Sequence, residues 1–164
     1  MSEKNNQHQI HTVTILLGSN INAEQNLRLA NQALEKRCRI QRVSSIWQTK
    51  AAGSHGADFL NQAVQLQTSL EMDEFKYQIL RRIEQELGRV RTTDKYADRT
   101  IDLDIILFDG RVIEPGIWTH CFMAAPVSEL HPNLQQSEDA KTLQQAAREF
   151  QCNSLVRLFK KTGR

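Results

Sequence analysis

Apolar positions along the chain change period several times, and each change marks an element. Val13 to Leu17 is a short β-branched and aliphatic run ending at Gly18-Ser19-Asn20, the pattern of a buried strand entering a turn. From Ala23 to Arg37, Leu27, Ala30 and Leu34 fall on one stripe, which predicts an amphipathic helix. Arg39 to Gln48 reads as a second strand, and Ala51 to Asp58, with Gly53 and Gly56, as a loop. Phe59 to Ser69 alternates, with Val64, Leu66 and Thr68 against Gln65 and Gln67, as a half-exposed strand does.

Met72 to Leu87 carries Phe75, Ile79, Ile83 and Leu87 at four-residue intervals, and Gly88 follows as a helix stop. A polar loop spans Thr92 to Asp98. The apolar strand Thr100 to Phe108 turns at Asp109-Gly110 into Arg111-Val112-Ile113, a hairpin signal. A last helix is expected from Glu138 to Phe150, with Leu143, Ala146, Ala147 and Phe150 as its stripe. The order β-α-β-β-α-β predicts an α+β sandwich with a ferredoxin-like core and C-terminal helical additions. Residues 1–11 read as a disordered tail and residues 12–164 as a single domain.

Composition narrows the possibilities. A chain of 164 residues with 40% apolar and 24% charged residues can bury a core without disulfides or structural metal. Cys38, Cys121 and Cys152 are odd in number and irregularly spaced, which argues against a disulfide framework and a zinc site. The longest apolar runs, such as Ile105-Ile106-Leu107-Phe108, cannot span a bilayer, so no membrane association is expected. The start of the chain is polar, with no signal-peptide core, and a cytoplasmic monomer is expected. A net charge of +2 gives no reason to expect nucleic acid as a partner, and Lys160, Lys161 and Arg164 read as a solvated terminus.

The segment most suggestive of chemistry is Arg99-Thr100-Ile101-Asp102-Leu103-Asp104-Ile105. On a strand, residues two apart share a face, so Asp102 and Asp104 point one way and Ile101, Leu103 and Ile105 the other. Paired carboxylates on an apolar strand repel each other unless compensated, and hard oxygen donors at this spacing suit Mg²⁺. Two exposed acids, or a salt bridge to Arg99, would fit the same pattern. Arg89, Arg91 and Arg99 lie nearby in sequence, and guanidinium forks match phosphate oxygens. No Walker-type phosphate loop and no Gly-x-Gly-x-x-Gly occurs, which removes those nucleotide-binding readings.

With these residues in view, the chain resembles the 6-hydroxymethyl-7,8-dihydropterin pyrophosphokinases of folate biosynthesis. The resemblance rests on Leu17-Gly18-Ser19-Asn20, Val43-Ser44-Ser45 with Thr49, Asp58-Phe59-Leu60-Asn61-Gln62-Ala63-Val64, Ile83-Glu84, and Leu87-Gly88-Arg89-Val90-Arg91. It continues through the Asp102-Leu103-Asp104 signature to Phe122-Met123, and covers roughly residues 12–134. It implies transfer of pyrophosphate from MgATP to a pterin hydroxymethyl group, with AMP released. It further implies that Asp102 and Asp104 hold two Mg²⁺ ions, and that Arg89 and Arg99 join them as catalytic residues. Arg89, Arg91, Arg99, Tyr96 and His120 are implied nucleotide contacts, and Thr49, Phe59, Asn61 and Phe122 implied pterin contacts.

Three departures from the family pattern suggest weaker turnover, or a paralogue that binds without efficient turnover. The signature is preceded by Tyr96-Ala97-Asp98-Arg99, which adds an acid beside the phosphate site. The pterin loop reads Thr49-Lys50-Ala51-Ala52-Gly53 and lacks a stiffening proline. Only Glu114 to Cys121 joins Ile113 to Phe122, and His120 stands either for a missing arginine or for a proline-histidine element.

Overall fold

Strand β1 (His11–Ser19) is buried almost throughout because it lies in the middle of a sheet covered on both faces. The computed structural model describes residues 9–50, 56–94, 97–153 and 155–160, without the side chain of Cys152. After β1 come helix α1 (Ala23–Glu35), strands β2 (Arg39–Val43), β3 (Trp47–Thr49) and β4 (Phe59–Thr68), and helix α2 (Met72–Phe75). A π-helical turn (Lys76–Leu80) leads into α3 (Arg81–Glu86), followed by β5 (Asp102–Phe108), β6 (Arg111–Val112) and a 3₁₀ turn (Pro115–Trp118). Helices α4 (Cys121–Leu130) and α5 (Leu143–Cys152) and strand β7 (Val156–Leu158) complete the chain. The sheet runs β6-β5-β1-β4-β3-β7, with β2 also paired to β4. All described pairings are antiparallel. The central order β5-β1-β4-β3, with α1 and α2–α3 on one face, is the ferredoxin-like core expected from the sequence.

Alternation along the strands sends side chains into two cores. Val13, Ile15, Leu17, Leu60, Val64, Leu66, Ile101 and Leu103 pack under α1 and α2–α3 with Leu27, Phe75, Leu80 and Ile83. Leu16, Ala63 and Ile106, joined by Leu107 at the register shift between β1 and β5, pack under α4 and α5 with Ala124, Val127, Leu143 and Ala147.

The structure differs from the sequence-based expectations in several places. The strand expected over Arg39–Gln48 breaks into β2 and β3 at Ser44. Its Oγ accepts the Ala63 N–H at 2.9 Å and its carbonyl accepts Gln62 Nε2 at 2.9 Å, which interrupts the regular ladder. The helix over Met72–Leu87 contains the π turn, so Phe75 and Leu80 are buried five residues apart and Glu84 turns inward beside Ile83. His11, expected in the tail, opens β1 and is 4% exposed. The helix expected from Glu138 begins at Leu143, where Thr142 and Gln145 form a reciprocal capping box. Helix α4 and strand β7 were not expected. The stretch Cys121–Val127 is apolar on all sides and contains Pro126, so it carries no helical period.

Candidate active site

The outer edge of β5 organises the acidic half of the site. β5 pairs with β1 on one side, while β6 reaches only Leu107 and Phe108 on the other. As read from the sequence, Asp102 and Asp104 share one face and Leu103 the opposite one, where it enters the core. Arg89 lies 3.1 Å from Asp102 Oδ1 and Arg99 2.5 Å from Oδ2, so two guanidinium groups grip this one carboxylate. Arg89 Nη1 also donates to the Ile101 carbonyl at 2.9 Å. Asp104 is open to water on one side. Desolvation by the surrounding protein, then the charge of Asp102, pushes its carboxyl up to about 6 against the pull of Arg81, Arg89 and Arg99.

Glu84 lies behind this edge and is 1% exposed. Its Oε1 accepts the Leu103 N–H at 2.9 Å, and its Oε2 is 2.8 Å from Arg81 and 2.6 Å from Arg91. Desolvation raises its carboxyl to about 7, although the Leu103 amide, Arg81 and Arg89 favour the charged form.

The turn after β1 fixes the arginine that precedes the acids. Ser19 Oγ donates to the Thr100 carbonyl at 2.5 Å. Asn20 uses both halves of its amide: Nδ2 donates to Asp98 at 2.6 Å and Oδ1 accepts the Arg99 N–H at 2.7 Å. Asp98 is therefore taken up as an anchor of the loop rather than left as a bare charge.

A row of directly paired residues crosses the same face of the sheet. Asp102 pairs with Gly18, Gly18 with Asn61, and Asn61 with Trp47. Gly18 keeps this row flat, since a Cβ there would lie 3.2 Å from Asn61 Oδ1. Asn61 is 2% exposed, and its Nδ2 donates to Thr49 Oγ1 at 3.1 Å. Phe59, two residues before Asn61, is half-buried on this face. Half-buried Phe122 is the second residue of helix α4, which packs over that face, and the Phe122 ring meets the His120 ring edge-on at 5.5 Å. His120 is exposed, and its Nδ1 lies 3.1 Å from the Gly116 carbonyl. The shortened segment is thus a folded unit: Glu114 caps the 3₁₀ turn by accepting the Gly116 N–H, and Ile117 is fully buried.

A family model described as 7,8-dihydro-6-hydroxymethylpterin-pyrophosphokinase (HPPK) matches residues 14–132. The chain belongs to the HPPK family. Among its relatives, the 2-amino-4-hydroxy-6-hydroxymethyldihydropteridine pyrophosphokinase of Bacillus subtilis is 35% identical over 158 residues, covering 88% of this chain and 93% of its own length. The enzyme of that name from Synechocystis sp. is 31% identical over 158 residues, covering 90% of this chain and 80% of its own length. A crystal structure of Plasmodium falciparum HPPK-DHPS matches with a TM-score of 0.67 at 10% identity, a likeness of fold alone. The match spans 89% of this chain and 46% of that one.

Of the residues that the HPPK resemblance singled out, Asp102, Asp104, Arg89 and Arg99 are brought together at the β5 edge. Thr49, Phe59 and Asn61 gather two strands away. Arg91 lies against Glu84 rather than against the acid pair, and Tyr96 lies outside the described residues. Sequence reasoning gave no role to Ser19, Asn20 or Arg81. The first two lie in the Leu17-Gly18-Ser19-Asn20 motif, whose polar pair after a strand was the available signal. Arg81 had none, because the π turn that aims it is not written in the apolar period. A groove of about 530 Å³ beside Ala23, Gln48, Leu60 and Phe159 opens on the opposite face of the sheet and contains none of the expected site residues.

Proposed function

We infer that this chain transfers the β,γ-pyrophosphoryl group of ATP to the hydroxymethyl oxygen of 6-hydroxymethyl-7,8-dihydropterin, releasing AMP, in folate biosynthesis. The observation carrying this reading is the single face on which Asp102, Asp104 and their arginines stand two strands from Asn61, with bare Gly18 between them. The unit proposed to do this is the domain of residues 12–164, working as a cytoplasmic monomer.

The donor set fits Mg²⁺, since Asp102 and Asp104 are hard oxygen donors on one strand face and Asp104 is exposed beside the Asp102 charge. Two Mg²⁺ ions are proposed, with Asp102 and Asp104 as their protein ligands. When bound, Mg²⁺ neutralises phosphate charge and makes the β-phosphorus a better electrophile.

Arg89 and Arg99 exchange the Asp102 carboxylate for phosphate oxygens, and Arg91 leaves Glu84 to do the same. Tyr96 and His120 are proposed to flank the nucleotide. Asn61 reads the pterin edge with one donor and one acceptor, Thr49 orients that amide, and Phe59 and Phe122 cover the ring. The pterin oxygen bonds to the β-phosphorus as the bond from that phosphorus to the α,β-bridging oxygen breaks. AMP leaves with the bridging oxygen, and the hydroxyl proton passes to water. Positioning and electrostatics supply the rate, so no side-chain base is required.

No observation favours a paralogue that binds without turnover. Incubation with ATP, Mg²⁺ and the hydroxymethyl dihydropterin is expected to yield AMP and the pterin diphosphate in equal amounts. Absence of AMP from folded protein that binds both substrates would overturn the reading.

A further inference from the structure

Leu103 N–H and Ile101 C=O both project from the edge of β5 that faces away from β1, since residues two apart on a strand direct their backbone groups to one side. Among the described residues no strand covers that edge between Asp102 and Ile106. Glu84 accepts the Leu103 N–H at 2.9 Å, and Arg89 donates to the Ile101 carbonyl at 2.9 Å. Two side chains therefore do what a neighbouring strand would do, at the segment where the acids stand. Glu84 is 1% exposed and is turned toward the sheet by the π turn just before Arg81, a helix irregularity that recurs at functional sites. Its other oxygen holds Arg81 and Arg91.

We propose that Glu84 is a positioning residue: by holding the Leu103 amide it sets the pose in which Asp102 and Asp104 meet the cation–triphosphate. This rests on the pyrophosphokinase reading above. The reach of the side chain matters more than its charge. Glu84→Asp keeps a carboxylate for Arg81 and Arg91 but falls short of the amide by about 1.5 Å, one C–C bond. Glu84→Gln keeps the reach and gives up the charge.

The three proteins are compared by steady-state kinetics, by calorimetric titration with Mn²⁺ and α,β-methylene-ATP, and by titration with the pterin alone. Because a misplacement of about 1 Å costs about 10²-fold, Glu84→Asp is expected to lose about that factor in kcat, with the pterin KM unchanged. It is also expected to bind the Mn²⁺–analogue pair about tenfold more weakly, with pterin affinity unaltered. Glu84→Gln is expected to melt lower, since Arg81 and Arg91 lose their carboxylate, but to stay within about fivefold of wild type per folded molecule in each titration and in kcat, because the Leu103 bond is kept. A merely structural role would lower melting temperature and leave kcat per folded molecule intact. Wild-type turnover in Glu84→Asp, or an equal fall in Glu84→Gln, overturns the proposal. Should Glu84→Asp not fold, Glu84→Met, which also lacks the acceptor, takes its place. If the wild type itself makes no AMP, the activity reading fails, while the Mn²⁺–analogue titrations still decide the role of Glu84.

Discussion

The two signature acids read alike in the sequence but differ in their surroundings. Asp102 is gripped by Arg89 and Arg99, whereas Asp104 has no such grip among the described residues and is held in its charged form against desolvation and against Asp102. Asparagine at either position is expected to abolish AMP formation. In metal-free buffer at neutral pH the melting temperatures should move in opposite directions. Asp104→Asn relieves an unfavourable charge and should raise the transition, while Asp102→Asn strands two guanidinium groups and should lower it. Calorimetric melts of both variants check this, and shifts of the same sign would contradict it. Gly18 carries a second residue-scale prediction. A methyl group 3.2 Å from Asn61 Oδ1 must displace the amide that donates to Thr49. Gly18→Ala should therefore weaken pterin binding by about tenfold, near 1.4 kcal/mol, and leave binding of MgATP analogues unchanged. Equal losses for both ligands would show that the glycine serves the sheet instead.

Between elements, His11 ties the start of β1 to the β5–β6 turn and to the start of α2. Its Nδ1 lies 2.6 Å from Asp109 and its Nε2 3.4 Å from Glu71. The hydrogen bond to Asp109 is the largest cause that lifts the imidazole above its usual pKa, overcoming burial, and it is also the largest that lowers the Asp109 carboxyl. A raised histidine stabilises fully below its unfolded value of about 6.5, and a lowered aspartate above its unfolded value of about 3.9. The pair thus contributes in full between those values and fades as pH climbs through the folded histidine pKa. His11→Asn should cost clearly more melting temperature at pH 5.5 than at pH 9, and a pH-independent deficit would refute the ion pair. At the other end of the chain, Thr142 caps α5 through Gln145. Thr142→Ala is expected to cost about 1 kcal/mol in urea unfolding, with AMP formation per folded molecule unchanged. That Thr-x-x-Gln box was readable, and it sets the start at Leu143, the first residue of the apolar stripe, rather than at Glu138. Helix α4 was not legible, because Cys121–Val127 is apolar on every side and has no polar face to set its period.

At the scale of the molecule, the sequence carried the core well: α1 buries one stripe and so prints a helical period, while β1, covered on both faces, prints a continuous apolar run. What it did not carry were contacts between distant segments. Asn20 meets Asp98 and Arg99 across 78 and 79 residues, and Glu84 meets Leu103 across 19. No local pattern encodes such pairs. Ligand linkage offers a whole-molecule test, since whatever binds only the folded state raises its stability, by about 2.7 kcal/mol at a hundred times Kd. Mg²⁺ with α,β-methylene-ATP should raise the wild-type melting temperature and leave that of Asp104→Asn nearly unmoved. The flat row from Asp102 through Gly18 to Asn61 has a consequence for how the protein tolerates change. Two inter-strand steps measure about 10 Å, a length set by backbone hydrogen bonding and by no side chain. With the substrates placed as proposed above, the sheet is a ruler laid between them. Substitutions elsewhere in the chain can alter how tightly and how fast ligands are held without changing that length. The bond to be broken stays at the same mark.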